Sequence, residues 1–473
     1  MTKKKNKQGI SFKKYLNIFL IIVTFLVAGL VYFINILPLE YFIIFIVLLI
    51  LIDAIAISLL NSNGPIKGML GGLFTIVLII VMIMGINYEL NTIDFFKQFG
   101  FNAYKTENYN LVVLKNTSDD IKKLEGENVG HLDTRENKGL SKAIDKLLKK
   151  VEFKSKVYDS IDALATGLIN EECYAILIED AQMDIIKEEN NDLYEKFKII
   201  NKIQIDIKTN NIGKSVKVTE DSFNILISGI DTYGSITKVS RSDVNILLSV
   251  NPNKHQILIT SIPRDYYVLL PSFNSYDKLT HAGIYGIEES VKTVENLLDV
   301  QINYYVKVNF TSLIDLVDAF DGIEVDSKYE FTTQDGYTFK KGINKLNGKE
   351  ALSFSRERKS FSMGDRVRGE NQELVLTALI NKALSPKIIT NYTEILKALK
   401  NKFVTNFTNE EITSLIKRQI NEKDTWGVKS ISLDGSDSYD YTYSYKKQKL
   451  YVMKPNSDSI KKAKKEIEII LSN

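Results

Sequence analysis

Four short stretches in the second half of the chain set arginine beside carboxylate: Arg241-Ser242-Asp243, Arg264-Asp265, Arg356-Glu357-Arg358 and Asp365-Arg366-Val367-Arg368. Each abuts a hydrophobic run, so each sits at the end of a buried element. An arginine presents a planar fork of donors that matches phosphate oxygens. A carboxylate holds a hard divalent cation or accepts a proton. Converging on one site, the two residue types suit a pyrophosphate with its metal ion. Taken singly, each stretch reads more readily as a structural ion pair, and exposed pairs contribute little. Their combination carries the argument.

The elements that must position these residues are legible from residue 216 onward. Residues 223–228 read as a strand. Residues 244–250 and 256–262 flank the turn Asn251-Pro252-Asn253-Lys254 and read as paired strands. Residues 287–298 form an amphipathic helix, 304–308 a strand, and 311–320 a helix stopped by Asp321-Gly322. Asn347 caps a helix carrying Ala351 and Phe354, and 370–383 is a further helix. Such alternation predicts an α/β fold, a sheet covered by helices on both faces. Sites in such sheets lie where strands end and loops begin. Arg264 and Asp265 follow a strand directly, and Asp231 follows one after a glycine. Arg368 and Gln372 are four apart and share a side if the helix has begun there. Arg356 and Arg358 are two apart and share a face only in extended backbone, so the helix from Asn347 is predicted to end before them. Beyond Pro386, helices over 388–403 and 411–420, a strand over 426–433, a tyrosine-rich hairpin and a basic helix from Ser457 are assigned to the same domain, 215–473.

Ahead of it, residues 108–214 read as a small α/β domain. It has strands at 111–114, 173–178 and 199–207, and a helix over 138–150 with Leu140, Ile144, Leu147 and Leu148 on one side. It shows no dense polar constellation and reads as accessory. Cys173 is the only cysteine, which rules out an intrachain disulfide, and its apolar surroundings suit a buried, inert thiol. His131, His255 and His281 are scattered over separate segments, which argues against a zinc site; His281 is expected to make a local hydrogen bond.

A chain of 473 residues holds two or more domains. A net charge of +3 with 25% charged residues gives no global polyanion-binding character. Residues 16–37, 41–60 and 69–86 are almost entirely apolar. Each is near the ~20 residues that cross a bilayer as helix. The first run is too long for a signal peptide and no small-residue cleavage site follows it. Lys3, Lys4, Lys5, Lys7, Lys13 and Lys14 crowd the tail 1–15, whereas the link Pro38-Leu39-Glu40 carries no positive charge. The tail is therefore expected in the cytoplasm, and three crossings place residues after 87 outside. Outside the cell, ATP and nucleic acid fall away as substrates. Asp53, inside the second span, is either functional, turned towards a neighbouring helix, or in polar contact with lipid. Residues 87–107 form a juxtamembrane linker whose Phe95, Phe96, Phe99 and Phe101 suit the bilayer interface.

Read in order, residues 224–231 (Asn-Ile-Leu-Ile-Ser-Gly-Ile-Asp), Arg241-Ser242-Asp243, Ser261-Ile262-Pro263-Arg264-Asp265, the segment 346–352, Arg356-Glu357-Arg358 and the segment 364–372 resemble the LytR-CpsA-Psr family of Gram-positive cell-wall enzymes, most of all its CpsA-like capsule branch. The motifs span 216–385, and the three spans with a small outer domain also match that branch. The resemblance implies an α/β/α sandwich with an apolar pocket for a lipid tail. It implies an extracellular phosphotransferase that moves a glycopolymer from a polyprenyl-pyrophosphate carrier onto the 6-hydroxyl of N-acetylmuramic acid in peptidoglycan, with Mg2+ as cofactor. By the same resemblance Asp231 and Asp243 are the metal ligands. Arg264, Arg356, Arg358 and Arg368 bind the pyrophosphate, with Gln372 as polar partner and Arg241 beside them. Asp265, Asp365 and Arg366 take supporting places, with Asp265 orienting Arg264. Asp231 is the expected general base. Two other readings stand beside this one: a polyprenyl-pyrophosphate hydrolase using water as acceptor, and a membrane-bound regulator or receptor of capsule synthesis.

Overall fold

The computed structural model describes the chain except residues 1, 99–103, 135–136, 209–211, 231, 233–235, 362–363, 386–394, 396–397, 401, 423–424 and 473, and the side chains of 2–11, 95–98, 104 and 365. Asp231, the Asp365 side chain and all four juxtamembrane phenylalanine side chains thus lie outside the described residues.

The three apolar runs become α1 (Thr2–Ile34), α2 (Leu39–Leu60) and α3 (Pro65–Gln98). Each is long and apolar enough to cross a membrane, over Phe12–Ile34, Leu39–Leu60 and Pro65–Asp94. With lipid as solvent, close packing rather than hydrophobic burial draws such helices together. Gly71 provides it: a Cβ there would stand 2.3 Å from the Leu59 carbonyl carbon of α2. Asp53 turns inward, and the Thr24 hydroxyl of α1 donates to its Oδ2 at 2.7 Å. The described residues within 391–400 and 408–424 group with these helices as one compact unit. Within it, Lys417 Nζ donates to Asn35 Oδ1 at 2.7 Å. This differs from the expectation that the segment belongs to the carboxyl-terminal domain 215–473.

The second unit holds two sheets. The first is built from β1 (Tyr104–Leu114), β2 (Asn128–Leu132), β3 (Lys154–Tyr158), β4 (Ala175–Glu179) and β5 (Phe197–Lys208), in the order β3-β2-β4-β1-β5. Helices α4 (Lys138–Leu148), α5 (Ile161–Ile169) and α6 (Asp180–Glu189) interleave with them, and a short α7 (Asn191–Tyr194) follows. The second sheet uses β6 (Phe223–Ile230), β7 (Ser242–Asn251) and β8 (Gln256–Ile262). A hairpin β9 (Tyr267–Leu270) and β10 (Ser275–Lys278) comes next, then α8 (Leu279–Ala282), α9 (Ile287–Leu298) and β11 (Tyr304–Asn309). After α10 (Phe310–Ala319) come β12 (Ile323–Ser327), β13 (Phe331–Thr332), β14 (Thr338–Phe339) and β15 (Gly342–Leu346). Then α11 (Gly348–Arg356), α12 (Asp365–Ala383), β16 (Phe403–Thr405), β17 (Gly427–Ser432) and the hairpin β18 (Gly435–Asp440) and β19 (Leu450–Pro455) lead to a terminal helix, Ser457–Leu471.

The α/β expectation therefore holds, with a mixed sheet ordered β16-β11-β6-β7-β8-β17 at its centre. Strand β8 matches the predicted 256–262 residue for residue. Phe403 departs from the expected helix over 388–403: it starts a strand antiparallel to β11. The rest of that predicted helix falls largely outside the described residues. One sheet face packs Leu226, Leu247 and Leu258 against α9 and the terminal helix. On the other, Ile225, Ile227, Val306 and Val308 remain only half-buried, and register puts them together, with Ile227 opposite Val306. Helix α12 packs on this second face, where a Cβ on Gly369 would meet Ser261 Oγ at 3.6 Å. The two sheets share an apolar cluster in which Ile284, Tyr445 and Leu450 join Ile161, Leu164 and Ile185.

Helix α11 opens with a reciprocal cap. Asn347 Oδ1 accepts from the Glu350 amide at 3.0 Å, and Glu350 Oε2 from the Asn347 amide at 2.9 Å. Asn347→Ala is expected to cost about 1 kcal/mol, read as a lower thermal midpoint of the full chain in detergent.

Candidate functional site

Strands β6 and β11 run parallel and β7 antiparallel to β6, so the end of β6 meets the start of β7 and the end of β11. Ile230 pairs with Ser242 on one side and with Asn309 on the other. Strand β8, antiparallel to β7, ends at the same sheet edge. Asp243 and Arg264 meet there because one lies at the start of β7 and the other just past the end of β8.

Arg264 is the hub. Its Nη1 donates to Asp243 Oδ2 at 3.1 Å and its Nη2 to Glu188 Oε1 at 2.8 Å, while Nε lies 3.3 Å from Asp265 Oδ2. Arg241 pairs with the other Glu188 oxygen. Asp243 also accepts from the Thr280 hydroxyl at 2.9 Å. Burial alone would raise the Asp243 carboxyl, but the Arg264, Arg241 and Arg368 guanidinium groups and the Thr280 bond outweigh it and hold it at about 2. Asp243 is thus ionised at any physiological pH. The Thr280 backbone is tied to the hub as well, its amide donating to the Arg264 carbonyl at 2.8 Å. Asp265 is buried, with Lys278 Nζ 3.8 Å from its Oδ1.

The remaining predicted residues separate. Arg368 and Gln372 both lie on α12, which starts earlier than the predicted residue 370, so they share a side, and Arg368 is close enough to Asp243 to lower it. Arg356 is the last residue of α11, not the first beyond it, because Glu357 is where the backbone turns extended. Its guanidinium stacks on the Phe310 ring at 4.1 Å. Phe310 follows β11 directly, so Arg356 stands at the same sheet edge as the hub. Arg358 lies beyond it with an exposed side chain. Glu357 is buried and accepts from the Ser360 and Gln334 amides at 3.0 and 3.2 Å. Burial would raise its carboxyl, but these amides and that of Lys359 bring it below its ordinary value. Glu357 therefore fixes the loop between the two arginines. Arg366 leaves the cluster: it donates to the Gly435 carbonyl at 2.7 Å and pairs with Asp434 at 3.2 Å, tying α12 to the start of β18.

Sequence reasoning missed Glu188, Asp184 and Thr280. Glu188 belongs to α6 of the first sheet's unit, in a segment expected to be accessory. The available signal was the helical spacing of Asp180, Asp184 and Glu188, which puts three acids on one side of α6. His281 makes the expected local bonds, its buried Nδ1 lying 2.7 Å from Asp277 Oδ1 and 2.9 Å from Ser444 Oγ. A cavity of about 40 Å³ lies elsewhere, on the α9 face of the sheet, lined by Lys105, Ser228, Tyr305, Lys307 and Glu288 rather than the arginines. Burial, with Lys105 nearby, pushes the Lys307 amine down to about 8.

A guanidinium cluster at the edge of an α/β sheet, beside a half-buried apolar face, has the chemistry to hold an anion attached to a hydrophobic group. The LytR_cpsA_psr family model matches residues 186–466, more than half of the chain, and the protein belongs to that family. The match begins inside α6 and takes in Glu188. Among curated relatives, the polyisoprenyl-teichoic acid–peptidoglycan teichoic acid transferase TagU of Bacillus subtilis (strain 168) is 38% identical over 203 residues, 42% of this chain and 65% of that protein. The transferase TagT of the same organism is 34% identical over 260 residues, 53% of this chain and 77% of that protein. This chain thus spans somewhat under two thirds of the TagU relative. Among solved structures, B. subtilis TagU has 32% identity, covers 54% of this chain and 98% of its own, and gives a TM-score of 0.42. TagT bound to LI-WTA has 31% identity, covers 55% and 94%, and gives 0.44.

Proposed function

We propose that this protein is an envelope phosphotransferase that moves a glycopolymer from a polyprenyl-pyrophosphate carrier onto the 6-hydroxyl of N-acetylmuramic acid in peptidoglycan. The observation that carries the reading is the Arg264–Arg241–Arg368 cluster around Asp243, set at the end of the half-open apolar sheet face. Phosphoryl transfer is catalysed largely by positioning and charge neutralisation, which fixed guanidinium groups supply. The acceptor oxygen attacks the phosphorus nearer the glycan, the bond to the polyprenyl phosphate breaks, and polyprenyl phosphate leaves. The proton of the hydroxyl goes to a carboxylate, for which Asp231 is proposed. Arg264 and Arg368 neutralise the diphosphate, and Arg356 and Arg358 serve the same charge from the α11 end.

Magnesium is proposed as cofactor. Among the described residues no group of three or more acids, histidines or cysteines surrounds one point, so a cation here would rely on the substrate. Magnesium suits that, since it takes few carboxylates and fills its sphere with phosphate oxygens and water. Asp243 fits as one ligand, being ionised, and Asp231, next after Ile230, is the proposed second. When bound, the ion neutralises charge on the diphosphate oxygens.

The lysine-rich tail is proposed as cytoplasmic and the two sheets as external. The polymer is proposed to be capsular polysaccharide, favoured over the teichoic acid in the TagU name by the three apolar helices and the added sheet ahead of the catalytic motifs. The test uses the full chain in detergent with labelled lipid-linked glycan, with and without peptidoglycan. Conjugate should form only with acceptor present. Release of polyprenyl phosphate at the same rate without acceptor, and no conjugate, would make the protein a hydrolase.

A further inference from the structure

The α6 face that meets the arginine site is acidic along its length. Asp180 pairs with Lys238 at 2.9 Å, Glu188 bridges Arg241 and Arg264, and Glu189 pairs with Lys278 at 2.7 Å. Asp184 lies between them; burial raises its carboxyl against the pull of Arg241 and Lys238. Glu188 differs from the other partners of Arg264. Asp243 and Asp265 come from the same strand ends as the arginine itself, whereas Glu188 comes from a separate sheet's helix. Its side chain is 32% exposed, against 9% for Arg264 and 13% for Arg241, so it covers the two guanidinium groups from the solvent side. The Nη2 donor it occupies is of the kind a phosphate oxygen uses, since carboxylate and phosphate fit the same fork.

We propose that Glu188 is an internal stand-in for the substrate's phosphate: it holds Arg241 and Arg264 in position in the free protein and is displaced by the diphosphate. The inference rests on the proposed function, because it takes the arginine cluster as the diphosphate site. A diphosphate, with one charge on each phosphorus, outcompetes a single carboxylate for two guanidinium groups. The Asp180–Lys238 pair, two turns back, and the Glu189–Lys278 pair keep the helix anchored while the Glu188 side chain is displaced, which loosens the last turn. Glu188 is then a positioning residue whose removal helps binding rather than harming it.

The test measures binding of inorganic pyrophosphate to the full chain in detergent, by calorimetry, for wild type, Glu188→Gln, Glu188→Asp and Arg264→Ala. Glu188→Gln is expected to tighten binding about tenfold, the size of one ion pair's competition, with Glu188→Asp near wild type. Unchanged or weaker binding in Glu188→Gln, with binding lost in Arg264→Ala, would overturn the inference alone and leave Glu188 a structural strut. Wild-type binding by Arg264→Ala would instead overturn the arginine site and the inference with it. Hydrogen exchange on the wild-type chain needs no variant to fold. Amides 186–189 should exchange faster once pyrophosphate is added; unchanged or slower exchange counts against displacement.

Discussion

Arg264→Lys is expected to lower transfer by at least about 100-fold, the scale of removing one fixed donor from a developing phosphoryl charge. Lysine preserves the charge and would be conservative at an exposed pair. Here the guanidinium serves three carboxylates through three separate nitrogens, Nη1 to Asp243, Nη2 to Glu188 and Nε towards Asp265. An ammonium is a point charge on a flexible stem and cannot hold that fork. Whichever acid it keeps, another is left buried with less compensation. The loss should therefore appear in kcat as well as KM, measured as conjugate formed from labelled lipid-linked glycan. Arg264→Ala should also lower the thermal midpoint, because breaking a buried pair on one side costs about 3–5 kcal/mol. An Arg264→Lys protein retaining half of wild-type turnover would remove Arg264 from the chemistry.

What made this residue findable was local. Strand β8 is bounded by the Asn-Pro turn ahead of it and Pro263 after it, so the sequence placed Arg264 just beyond a strand end without knowledge of the sheet. The same holds for Arg368 and Gln372, whose helical spacing is a local property. Other features had no local signature. Strand β16 is three residues long and pairs with the edge of β11, Val306 opposite Thr405; Phe-Val-Thr suits a strand, but three residues show no alternation, and Phe403 follows on from a helical pattern. Strand β2 is short and carries Gly130 and His131, so it lacks a clear alternation, yet it is held between β3 and β4. Glu188 was the largest omission. Its acid stripe was readable, but a charged helix side ordinarily faces water, and only the docking of one sheet's helix on the other sheet's edge turns it into a set of ion pairs. Arg366 departs in the opposite direction: the motif puts it near Arg368, but helical residues two apart point about 200° apart, which sends it to Asp434.

Asp243→Asn should be the most damaging single-atom change at the site. Asparagine keeps the shape, and its carbonyl oxygen can still accept from Thr280. Its amide, however, would meet the Arg264 Nη1 donor at the position where a carboxylate oxygen now sits 3.1 Å away. Removing the charge also leaves Arg241, Arg264 and Arg368 with one less anion among them. Transfer is expected to fall about 1000-fold, and the magnesium concentration for half-maximal rate to rise if Asp243 is a ligand. The stability effect has a defined sign. The Asp243 carboxyl is lowered from 3.8 to about 2 in the folded chain, so its ionised form stabilises the fold above pH 3.8 and that contribution is lost as pH falls towards 2. The shift corresponds to about 2 kcal/mol. Wild type should therefore exceed Asp243→Asn by at least that amount at neutral pH, and the gap should narrow between pH 4 and 2 in denaturation of the detergent-held chain. A gap that stays constant through that window would mean that the arginines do not act on Asp243 as the geometry requires.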